Sequence, residues 1–143
     1  MEKKYVEPNT NNLTLMEKMF ALKTIGVFNG LSYSELYHIS ENAIYKVFSP
    51  GQKFCNKNQV LKLIYIVIKG KIQSVSGQVM PRVLGAASML FEAPVSDELI
   101  ASPQKGATCM IIEKSHFYTI FNQYPSILRK LSEIKNLEVE NVQ

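Results

Sequence analysis

Residues 83–101 read VLGAASMLFEAPVSDELIA, and the rest of the chain is organised around this stretch. Gly85 opens a run, residues 86–93, that contains no β-branched residue, which predicts a short helix, and Pro94 stops it. Val95, Leu99 and Ile100 then give an extended segment. A helix N-terminus behind a glycine can receive an anion, because its first backbone N–H groups have no intrahelical partner and the missing Cβ lets a ligand approach them. Helix, proline turn and strand together form a candidate ligand cassette.

On the N-terminal side, residues 1–12 are polar and Asn-rich and read as a flexible tail. Thr14 with Glu17, and Ser32 with Glu35, are capping boxes, so helices are expected within residues 14–42. Leu15, Met16, Met19, Phe20 and Leu22 on the first, and Leu36 and Ile39 on the second, would face a core, with Gly26 ending the first helix. From residue 43 the period shortens to that of strands separated by turn residues. Ile44, Val47 and Phe48 come first, Pro50-Gly51 is a turn, and residues 52–55 make a short strand. Residues 63–68, LIYIVI, are the strongest strand pattern in the chain, closed by Gly70, and residues 72–75 continue to a Ser76-Gly77 turn.

Beyond the cassette, residues 102–106 make a turn and residues 107–112 a final strand. Ser115 is positioned to cap a helix bearing Phe117, Ile120 and Phe121, and Pro125 to begin another. Ile127, Leu131 and Ile134 place an apolar stripe along that last helix. The expected class is α+β, mainly β, with helices at 14–42 and 115–138 flanking a strand-rich region at 43–113, all in one domain at 13–143.

The 143 residues suffice for one buried core, and 46% hydrophobic with 20% charged residues is an ordinary globular balance. No apolar run reaches the length of a membrane span and the charged start has no signal-peptide core, which points to a cytoplasmic protein. Cys55 and Cys109 are far apart and read as buried free thiols. His38 and His116 stand alone. No nucleophile–histidine arrangement, metal-ligand spacing or phosphate loop with its lysine is present, so no catalytic residue, metal or cofactor is assigned. Net charge is +4, and between Lys46 and Arg82 there are seven basic residues and no acid. Such a stretch is either a solvated rim that discourages edge pairing or a basic face for nucleic acid, an acidic protein or a membrane surface.

The cassette and its flanks resemble the cyclic nucleotide-binding domain family. Gly85, Leu90, Pro94, Leu99 and Ala101 match the frame of that family's phosphate-binding cassette. Pro50-Gly51-Gln52, residues 64–67 and Lys69-Gly70-Lys71 resemble its turn glycine, core strand and second glycine, and residues 22–39 resemble its helical lead-in. The resemblance implies a double-stranded β-helix or jelly-roll-like β-roll between flanking helices. It places a ligand pocket at Gly85, Ala86, Ala87, Pro94, Val95, Ser96, Asp97 and Glu98. Ala86 stands where the family has the Glu that takes the ribose hydroxyl, and Val95 where it has the Arg that pairs with the phosphate. Asp97 and Glu98 replace the family's Ala and Thr. Charge-assisted bonds to phosphate contribute about 1.5–3 kcal/mol each, so these replacements remove orders of magnitude in affinity and leave a vestigial pocket.

The expected function is a non-enzymatic regulatory or interaction module that does not bind cAMP or cGMP. Its partner would be a protein, or a second copy of the chain through the C-terminal helix. The alternatives are a small-molecule sensor using the same pocket, or nucleic-acid binding through residues 46–82. Lys105 or Arg82 would have to reach the cassette for phosphate binding to be rescued.

Overall fold

A computed structural model describes residues 13–85, 88, 91–127 and 129. Two helices begin it, α1 (Leu15–Lys23) and α2 (Tyr33–Glu41), each entered through a complete capping box in which the Thr14 or Ser32 hydroxyl and the Glu17 or Glu35 carboxylate exchange bonds with the backbone. The first helix stops sooner than Gly26 suggests. Thr24 caps it, donating its hydroxyl to the Ala21 carbonyl at 2.7 Å, and Gly26–Phe28 forms a separate 3-10 turn.

Among the described residues seven strands follow: β1 (Ile44–Phe48), β2 (Lys53–Cys55), β3 (Leu63–Gly70), β4 (Ile72–Ser74), β5 (Val83–Leu84), β6 (Leu99–Ala101) and β7 (Ala107–Glu113). They make a four-stranded sheet in the order β1-β7-β3-β5 and a three-stranded sheet in the order β2-β6-β4, with every named pair antiparallel. The pairing of β1 with β7, Ile44 opposite Ile111 and Phe48 opposite Ala107, closes the roll across its longest sequence separation. β4 ends at Ser74, so Val75 lies outside the strand and is exposed. The next helix, α3 (Lys114–Gln123), starts directly after β7 with Glu113 as its cap residue, not Ser115. Pairing of Glu113 with Leu63 keeps residue 113 extended, and the helix takes over at the next residue. Pro125 then re-enters helix, and the remainder of the expected stripe, Leu131 and Ile134, lies outside the described residues.

Over most of their length β3 and β7 are covered on both faces, which is why β3 reads as an unbroken apolar run. On one face Ile64, Ile66, Met110 and Ile112 pack against Leu22, Phe28, Leu36, Ile39, Phe117 and Ile120 of the helical layer. On the other, Val67, Cys109 and Ile111 pack inside the roll with Phe48, Ile72 and Leu99. The cassette therefore hangs from a sheet fixed on both sides.

Candidate functional site

The cassette begins where β5 ends. Gly85 has φ +105°, a left-handed value, and is buried; a Cβ there would overlap the Leu63 carbonyl oxygen of β3. Glycine is thus required by the chain's approach to the sheet. Ala86 and Ala87, the next two expected site residues, lie outside the described residues. Ser88 is helical and buried, and its hydroxyl donates to the Ala93 carbonyl, tying the helix to the turn. Phe91 ends the helix with its side chain 56% exposed, so it does not fill the roll. Glu92 follows with φ +54° and turns the chain toward an exposed Pro94.

Val95 is held on both sides of its backbone. Its N–H donates to the Gln59 carbonyl and its carbonyl accepts from the Asn58 N–H, both at 2.9 Å, so the cassette is stitched to the turn between β2 and β3. The half-buried side chain packs on the roll core together with Phe54, Leu63 and Tyr65. Phe54 stacks against Phe48 at 4.4 Å and Tyr65 at 4.5 Å between ring centroids, and the Lys46 ammonium lies 5.0 Å from the Phe48 ring. Sequence reading did not single out this aromatic cluster. Its three members come from three strands, and only the alternation of β3, which sends Tyr65 to the side opposite Ile64 and Ile66, pointed to it.

Each of the two carboxylates expected near the pocket has a local partner. Asp97 Oδ1 accepts from the Glu98 N–H at 2.7 Å and Oδ2 accepts from the Ser76 hydroxyl at 3.1 Å, which in turn is 2.8 Å from the Ser74 hydroxyl. Asp97 thereby ties the cassette to the β4 hairpin. Glu98 pairs with Lys53 Nζ at 3.5 Å, and Lys53 also donates to Asn56 at 2.8 Å. Ser96 is exposed. Residues 83–101 carry three carboxylates and no lysine or arginine. Arg82, immediately before them, directs its Nε and Nη2 to the Val67 and Ile68 carbonyls, each at 3.2 Å, and so engages β3.

Burial raises the Cys55 and Tyr65 pKa values and pushes the Cys109 thiol up to about 12. Both cysteines are buried and free, and both are protonated at neutral pH, without the electropositive surroundings that activate a thiol. Among the described residues no three His, Cys, Asp or Glu side chains come together as a metal site. No described helix is long and apolar enough to cross a membrane.

No family model matches the sequence, and no curated protein matches it. Solved structures do. The regulatory domain of Toxoplasma gondii PKA, crystallised with cAMP, aligns over 83% of this chain and 49% of its own at 16% identity, with a TM-score of 0.63. The catabolite activator protein of Thermus thermophilus aligns over 80% of this chain and 58% of its own at 15% identity, with a TM-score of 0.64. This chain thus corresponds to about half of each. The likeness is one of fold: strands and helices here take the β-roll arrangement of cyclic nucleotide-binding domains.

Proposed function

We propose that the chain is a regulatory or interaction module that keeps the cyclic nucleotide-binding fold without the nucleotide, and that it acts by contacting a protein rather than by catalysis. The observation that carries this reading is Val95. At the position aligned with the family's phosphate-binding Arg stands a half-buried apolar side chain packed with Phe54 and Tyr65, its backbone bonded to Gln59 and Asn58. A phosphate there would meet an apolar wall, with Asp97 and Glu98 two and three residues further on. Desolvating an anion without a paired cation is strongly unfavourable. The residues proposed to make that contact are 125–140, whose sequence carries Ile127, Leu131 and Ile134 at helical spacing.

A ligand bound only by the folded state raises its melting temperature. Thermal-shift and calorimetric titration with cAMP and cGMP up to millimolar concentration is expected to give no shift and no heat. A saturable shift with either nucleotide overturns the reading, since other groups would then have replaced the Glu and Arg. Sedimentation of the full chain, alone and with candidate partner proteins, tests the second half of the proposal.

A further inference from the structure

We propose that the corner of the roll around Gly70 is a docking surface for an anionic lipid bilayer. Gly70 stands between Lys69 and Lys71 at the end of β3, and its Cα is pressed so closely on Gly106 that a Cβ would overlap the Gly106 carbonyl oxygen. That approach brings a third cation, Lys105, beside the first two. The Lys71 N–H donates to the Gly106 carbonyl at 3.1 Å, and the Ser102 N–H donates to the Lys71 carbonyl at 2.9 Å. Arg82 supplies a fourth. Its exposed guanidinium spends two of its five N–H donors on the Val67 and Ile68 carbonyls just before Lys69. All four cations are exposed, and among the described residues none has a carboxylate partner within 4.0 Å.

β5 pairs with β3 only at Tyr65 and Ile66, so Lys69 stands on a stretch bonded to β7 alone, and the Arg82 side chain already takes the Val67 and Ile68 carbonyls there. Between Lys71 and Arg82 lies an open groove of about 320 Å³ floored by Ile72, Val79 and Met80. Val79 is 47% exposed, and Val47, two strands from Lys69 across Thr108, is 48% exposed. Lys71 and Arg82 thus have aliphatic side chains between them, and Val47 lies beyond Lys69 across Thr108. Single-stranded nucleic acid is held by aromatic rings on which bases stack; no aromatic side chain lines the groove between Lys71 and Arg82, and Phe20 and Tyr45 lie in a separate groove with Lys69 and Glu17. Duplex DNA takes a helix or a protruding ribbon into its major groove, and this corner is made of turns packed backbone to backbone. A bilayer surface asks only for clustered cations with small apolar groups between them, which is what the corner offers.

Each lysine or arginine near an anionic leaflet strengthens binding about fivefold, so four give a preference of several hundredfold over a neutral surface. The test is co-sedimentation of the full chain with phosphatidylcholine vesicles and with vesicles containing about 30% phosphatidylserine, at about 50 and about 300 mM salt. Binding is expected to the anionic vesicles only, and to disappear at the higher salt. The Lys71→Gln/Lys105→Gln variant is expected to lose about 25-fold, while Lys23→Gln/Lys114→Gln, which removes the same charge elsewhere, changes it less than twofold. Equal pelleting with both vesicle types, no binding at low salt, or equal losses in the two variants overturns the proposal. So does duplex DNA that displaces the chain from anionic vesicles at equal phosphate concentration, which would assign the corner to nucleic acid.

Discussion

Gly85 sits where backbone conformation and crowding coincide. Its φ of +105° and the overlap that a Cβ would make with the Leu63 carbonyl act against any side chain, so Gly85→Ala is expected to lower unfolding free energy by more than about 2 kcal/mol in urea titration. Gly51, also at positive φ but with open space around it, is the comparison: Gly51→Ala costs about 1 kcal/mol, the backbone term alone. Cys109 gives a pH dependence. Its folded pKa of about 12 lies above the ordinary 9.0, so the unfolded chain releases this proton first. Its stabilising contribution is complete below pH 9 and is lost as pH rises toward 12, at a slope of up to about 1.4 kcal/mol per pH unit. Melting temperatures between pH 8.5 and 11 are expected to fall more steeply for the native chain than for Cys109→Ala, and parallel curves would refute the assignment.

At the scale of elements, the features readable from sequence are those whose cause is local. The two capping boxes are formed by residues three apart, and both close as expected. Ser32→Ala should therefore cost about 1 kcal/mol by chemical denaturation. Glu35→Ala should cost more than Ser32→Ala, because Glu35 Oε2 also accepts from Ser126 at 3.0 Å and links α2 to the chain beyond α3. The residues 63–68 run is equally legible as a strand. What stayed hidden depends on partners distant in the chain. Residue 113 is extended because it pairs with Leu63, so the helix start expected from Ser115 moved to Lys114. In the cassette the glycine, the proline and the missing cation were visible in the residues themselves. The bonds from Val95 to Asn58 and Gln59, from Asp97 to Ser76, and from Glu98 to Lys53 were not, since each partner comes from another turn or strand.

For the whole molecule, one sheet separates two apolar clusters, one with the helices and one inside the roll. Because β3 and β7 contribute alternate residues to both, neither cluster can open while the other stays intact. Unfolding in urea is expected to be a single transition, with helical ellipticity and tyrosine fluorescence changing together; separated midpoints would show that the helical layer and the roll are independent units. The chain contains no tryptophan and seven tyrosines, with Tyr33 and Tyr37 on α2 and Tyr118 on α3, so the roll is read from the part of the tyrosine signal that Tyr65→Phe removes.

The partner strand of both β1 and β3 is β7, which in chain order follows every other described strand of the roll. Until residue 113 has emerged, the Ile64 and Ile66 face and the Val67 face both lack their central neighbour, and the capped helices have no sheet to cover. The nascent roll therefore carries its apolar residues uncovered until β7 is made, and then gains its fold in one step. A message cut short anywhere before β7 yields a chain with neither core, a substrate for chaperones and proteases rather than a smaller working module.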